Sequence, residues 1–169
     1  MSPLDNGNRW SALGVTVFAL ACLALWSGRG PALALVNETA SLPRGLYLRS
    51  PDGAAVRGAT VAVAPPERAE PYLAGLGAPA GQKLLKRIAA VEGDMVCRSG
   101  DEVRTPSRRV MAPSRDRRGV TLPSWSGCRR LAVSEVFLLG DTPDSFDSRY
   151  FGPVDRGRIL GVYREAATW

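Results

Sequence analysis

LLKRIAAVEGD, residues 84–94, is the stretch on which the reading of this chain turns. Alternate side chains of an extended strand share a face. That parity sets Lys86 with Leu84, Ile88 and Ala90 on an apolar side and leaves Lys83 with Leu85 and Arg87 on the other. A strand over 83–91 is expected, closing at the Gly-Asp turn at 93 and 94. A lysine on an apolar face loses hydration, which disfavours its charged form. At the ordinary pKa of ~10.4, roughly one lysine in 2,500 is neutral at pH 7, and lowering that value by about three units takes on the order of 4 kcal/mol. Only the neutral amine can accept a proton. A solvated lysine on a half-exposed strand is the plain alternative for this segment taken alone. The chain has just two lysines among its 22 basic residues and no histidine. An imidazole base is therefore excluded, the commonest metal ligand is missing, and arginine stays charged.

Upstream lies TASLPRGLY, residues 39–47. Pro43 fixes its own backbone and pushes Leu42 into an extended conformation, while Gly45 permits a turn. A serine presented at a fixed angle, Ser41, suits a nucleophile, and an ordinary turn would suit it equally. Thr39 could aim its hydroxyl, with the Ser41 backbone N–H, at a developing oxyanion. Downstream lies GDTPDSFDSRYFG, residues 140–152. If extended, Ser145, Asp147 and Arg149 project from one face. A hydroxyl such as Ser145 can orient an amine without changing its charge. A bare carboxylate beside Lys86 would raise its pKa, so Asp147 is expected to pair with Arg149.

Residues 10–28, WSALGVTVFALACLALWSG, carry no charge. Nineteen residues at ~1.5 Å each span about 28 Å, close to the hydrocarbon thickness of a bilayer. Trp10 and Trp26 stand near the two ends, where indoles favour the interface. A membrane-spanning helix is expected, with a cleaved secretory signal ending at Ala32-Leu33-Ala34 as the alternative. The organisation expected is a cytoplasmic N-terminus at 1–9, a transmembrane signal anchor at 10–28, a linker at 29–36 and a folded domain at 37–169. The chain beyond the helix holds the whole net charge of +6, which suits anionic headgroups of membrane lipid; no nucleic-acid recognition pattern accompanies it. Strands are expected at 59–64, 83–91, 131–139 and 158–164, a short helix within 67–82, and hairpins and loops at 98–130. The fold class is mainly β. Cys22 falls in the apolar run, leaving Cys97 and Cys128 as a possible disulfide or two free thiols. The disulfide would imply an oxidising compartment. Two cysteines without histidine do not complete a zinc site, and no metal or cofactor is expected.

These three segments, in this order behind an apolar N-terminal run, resemble the signal peptidase family of Ser/Lys proteases. Ser-Leu-Pro-Arg-Gly-Leu-Tyr at 41–47 is similar to its conjugative transfer (TraF) branch. The resemblance implies an antiparallel β domain on the periplasmic face of a bacterial inner membrane, anchored by a single helix. It implies Ser41 as nucleophile, Lys86 as general base and Asp147 as a third catalytic member, with Ser145 and Arg149 in supporting positions. Thr39 stands where housekeeping members commonly carry serine, and a hydroxyl is retained. The function implied is endoproteolysis of exported precursors through an acyl-enzyme, with a pilin precursor as partner. Two other readings stay open at this point: a non-catalytic component of a conjugation or secretion complex, and a self-cleaving Ser/Lys repressor.

Overall fold

Strand-forming runs separated by Gly, Pro and Asp turns build two antiparallel sheets. The computed structural model describes residues 31–169. The expected membrane helix at 10–28 lies outside them, and no helix among the described residues is long and apolar enough to cross a membrane. The larger sheet is made of β1 (Ala34–Asn37), β2 (Gly45–Arg49), β3 (Thr60–Val63), β4 (Leu84–Ala90), β9 (Glu135–Leu139), β10 (Val154–Asp155) and β11 (Ile159–Thr168). Its seven strands run in the order β1-β2-β11-β3-β4-β9-β10. The smaller sheet, ordered β7-β6-β5-β8, holds β5 (Met95–Ser99), β6 (Glu102–Arg104), β7 (Arg109–Met111) and β8 (Gly127–Arg130). Two short helices, α1 (Glu70–Gly75) and α2 (Ser148–Phe151), complete the unit Leu33–Trp169.

β3 lies between β11 and β4 and is buried along its whole length, which fits its run of Thr-Val-Ala-Val. Val61, Val63, Ile88, Leu138 and Phe151 form one core cluster, to which α1 contributes Leu73. A second cluster joins the two sheets through Val96, Val103, Phe137, Leu139 and Tyr150. The third is small and lies under the serine segment: Leu42, Tyr47, Ala62 and Tyr163. Cys97 and Cys128 face each other across the β5–β8 ladder and are joined by a disulfide. The small sheet has little core of its own, since all of β8 and two of the three residues of β7 are exposed. A cross-link compensates for that shortage by constraining the unfolded chain.

Five expectations need correction. The stretch read as linker to residue 36 already contains β1, because Ala34 to Asn37 pair in register with Leu48 to Gly45. The strand placed at 131–139 begins only at Glu135: Leu131 N–H donates to Asp94 and Glu135 N–H to Ala132, so 131–134 is a turn. The last strand runs on to Thr168, pairing with β2 beyond the apolar stretch. Segment 140–152 is not extended throughout, since Asp147 caps α2 by accepting the Arg149 backbone N–H. Gly45 serves a purpose other than a turn. A Cβ there would stand 2.1 Å from the Ala167 carbonyl oxygen, so glycine lets β2 and β11 come together.

Candidate active site

The serine loop between β1 and β2 is organised by one amide. Asn37 Nδ2 donates to the carbonyls of Thr39, Leu42 and Pro43, each at 3.0 Å, and its Oδ1 accepts from the Thr39 backbone N–H and hydroxyl. Tyr47 closes the loop by donating its hydroxyl to the Pro43 carbonyl at 2.8 Å. Ser41 is thereby held with its hydroxyl 3.0 Å from that of Thr39. The Thr39 hydroxyl donates to Asn37 Oδ1, so it must release that acceptor before it could donate to an oxyanion. No hydrogen bond joins Ser41 Oγ to Lys86.

Strand parity places the base candidate as read from the sequence. Along β4 the side chains of Leu84, Lys86, Ile88 and Ala90 are buried, Leu85 and Arg87 are half-exposed, and Lys83 before the strand is exposed. Lys86 is 4% exposed, and its side-chain amine makes no hydrogen bond to another described residue. Burial lowers its pKa from the ordinary 10.5 to about 8, with the Asp147 carboxylate opposing the shift and the Arg149 guanidinium adding to it. About a tenth of such lysines would be neutral at pH 7. Thr39, Ser41 and Lys86 line a single cleft of about 420 Å³, with Leu73, Thr142 and Phe146 among its walls.

Asp147 and Arg149 stand behind that cleft rather than in it. Both are buried, and Arg149 Nε lies 2.8 Å from Asp147 Oδ1 while its Nη2 lies 3.0 Å from Oδ2. Arg149 also donates to the carbonyls of Thr142 and Pro143 at 3.1 and 2.7 Å. Asp147 Oδ2 accepts the Gly140 backbone N–H at 2.8 Å. The next residue, Asp141, donates its N–H to the Ser41 carbonyl at 2.6 Å. A continuous chain of bonds therefore ties the arginine–aspartate pair to the backbone of Ser41. Since the pair is mutually neutralising, Asp147 does not present a bare carboxylate to the lysine.

Ser145 belongs to the same assembly by packing. Its hydroxyl is buried, has no hydrogen-bond partner among the described residues, and lies against Gly140. A Cβ on Gly140 would fall 2.1 Å from Ser145 Oγ and 2.7 Å from the Ser41 carbonyl oxygen, so only glycine fits between the two serines. Asn37, Gly140 and Arg98 are the parts that sequence reasoning missed. Arg98, on β5, donates to the carbonyls of Gly100, Ala112 and Arg149, which fixes α2 against the small sheet. Asn37 carried a readable signal, an Asn two residues before a hydroxyl in a Pro/Gly-bounded loop. Arg98 carried none, sitting in an arginine-rich stretch that reads as solvated.

Residues 9–168 match the family model described as signal peptidase, peptidase S26. A plasmid transfer protein TraF of Escherichia coli is 36% identical over 171 residues, covering 94% of this chain and 96% of that protein. A probable conjugal transfer protein TraF of Sinorhizobium fredii is 30% identical over 169 residues, covering 93% and 89% respectively. Among solved structures, a signal peptidase I from Enterococcus faecalis aligns at a TM-score of 0.39 and 23% identity, covering 65% of this chain and 97% of that one. The match to the family model over nearly the whole length, together with relatives above 30% identity, makes this chain a member of the signal peptidase family, peptidase S26.

Proposed function

We propose that the chain is a membrane-anchored Ser/Lys endopeptidase that cleaves exported precursor proteins, among them a pilin precursor of a conjugation apparatus. One observation carries the reading: a serine and a buried lysine line one cleft, and the lysine's pKa lies near 8. Ser41 Oγ attacks the scissile carbonyl and its proton passes to neutral Lys86 Nζ. The tetrahedral intermediate collapses, the leaving amine takes the proton from Lys86, and an acyl-enzyme remains on Ser41. Water, or an amine of the substrate itself, attacks that ester with Lys86 again as base, releasing the product. Free Ser41 Oγ contacts Thr39 rather than Lys86; a catalytic hydrogen bond that forms only with substrate in place is common in empty sites.

Asp147 serves by holding Arg149 and Gly140, and Arg149 counters the effect of that carboxylate on the lysine. The conjugative substrate is supported by the relatives named for plasmid and conjugal transfer. The apolar run at 10–28 supports a single-pass anchor in an inner membrane, and the Cys97–Cys128 disulfide supports a periplasmic domain beside membrane lipid. The test is cleavage of a pilin precursor by the purified full chain and its Ser41→Ala variant in membranes. Loss of cleavage is expected, and cleavage retained by the variant would overturn the reading.

A further inference from the structure

A second cavity of about 330 Å³ adjoins the serine cleft. The two share Leu76, Asp144 and Phe146 as wall residues, so a peptide crossing the first cleft has a continuous surface into the second. Its aromatic wall is a packed group: the ring of Phe146 lies 4.5 Å from that of Tyr72 and 5.6 Å from that of Tyr150. The opposite rim is the loop 113–118, which supplies Arg115, Arg117 and Arg118. These arginines differ in what they already do. Arg118 is bound to Asp116, whose carboxylate also takes the Tyr72 hydroxyl and the Val120 N–H, so that acid is spent on holding the loop. Arg115 uses Nη1 on the Gly119 carbonyl. Arg117 pairs with Asp144, but the side chains are 85% and 63% exposed. Such a pair contributes at most about 1 kcal/mol and exchanges readily for another carboxylate.

Resting on the peptidase reading above, we propose that this cavity is a substrate subsite that takes an acidic residue of the precursor chain. The carboxylate displaces Asp144 from Arg117 and is flanked by Arg115, while neighbouring peptide atoms lie on the Phe146–Tyr150 wall. The choice of a carboxylate follows from charge: the three arginines outnumber Asp116 and Asp144, and the guanidinium fork matches a carboxylate in plane. Aromatic faces next to arginines suit the apolar stem of an Asp or Glu and its backbone.

The experiment uses the full chain in lipid bilayers with internally quenched decapeptides bearing small residues around the cleaved bond. One Asp is moved through the positions on either side, and each peptide has an Asn counterpart. The expected result is one position at which Asp raises kcat/KM about tenfold over Asn through KM, with the gain falling as salt rises. Arg115→Gln/Arg117→Gln should abolish that preference, bringing Asp and Asn peptides to the same kcat/KM, and Arg117→Glu should favour a Lys peptide at the same position. Equal cleavage of Asp and Asn peptides at every position by the unaltered chain would overturn the subsite while leaving the peptidase reading intact. If no peptide is cleaved, that reading fails, and the subsite is judged by fluorescence anisotropy of the same Asp and Asn peptides on the Ser41→Ala chain. Equal affinity there would overturn it too.

Discussion

Lys86 on the larger sheet and Arg98 on the smaller are buried to the same degree, each 4% exposed, yet the molecule treats them in opposite ways. Arg98 donates to three carbonyls. The Lys86 amine makes no hydrogen bond to a described residue. The difference follows from what each group can do with its proton. A guanidinium keeps its charge in any protein environment and must be given acceptors; an amine can escape burial by becoming neutral. Withholding acceptors from a buried cation thus tunes a base, and supplying them makes a structural tie.

Substitutions at the two sites separate these roles. Lys86→Met has the largest expected effect, a loss of about 10⁴-fold in kcat/KM, equivalent to roughly 5 kcal/mol. Activity of the unaltered chain should rise with pH through about 8 as the amine loses its proton. The sign of the stability effect is also fixed. Between about 8 and 10.5 the unfolded chain holds a proton on this lysine that the folded chain has lost, so stability rises with pH across that window. The gain is on the order of 3 kcal/mol, and comparison with Lys86→Met by urea unfolding separates it from the tyrosines, whose raised pKa values act in the other direction.

Arg149→Met comes next. It strands Asp147 as a buried unpaired carboxylate, which should lower stability by about 3–5 kcal/mol and move the pH-rate midpoint upward, since the carboxylate is no longer countered near Lys86. Arg98→Met leaves carbonyls unsatisfied and should lower stability by about 3 kcal/mol with the pH midpoint unmoved. A shift of that midpoint would mean that the small sheet tunes the lysine as well as supporting α2. Arg57→Ala removes a half-exposed cation from its pair with Asp94 and should change the free energy of unfolding by less than about 1 kcal/mol.

Much of the lysine's environment was legible because parity on an apolar strand is a local property, and β4 displays it from Leu84 to Ile88, beyond which Ala89 and Ala90 are both buried. The pairing of Asp147 with Arg149 followed from charge alone, and the structure holds that pair. The geometry around it did not follow. Parity alone sets Asp147 on an extended face, whereas Asp-Ser-Arg-Tyr starts a helical turn with the aspartate as its cap, a signal that the alternating Ser and Asp residues obscure. β1 and β2 were missed because each has few alternating apolar residues and gains its stability from neighbours, β2 sitting between β1 and β11. The docking of Gly140 against Ser41 joins residues about a hundred positions apart, and nothing in either segment announces the other.

The exposed position of Lys83 has a practical outcome. With only two lysines in the whole sequence and Lys86 just 4% exposed, the far more accessible side-chain amine, that of Lys83, stands on the wall of the serine cleft. Of the two lysines, an amine-reactive dye or photo-crosslinker applied to the unmutated chain would load Lys83 first, alongside any free α-amine, placing a reporter at the mouth of the cleft without genetic engineering.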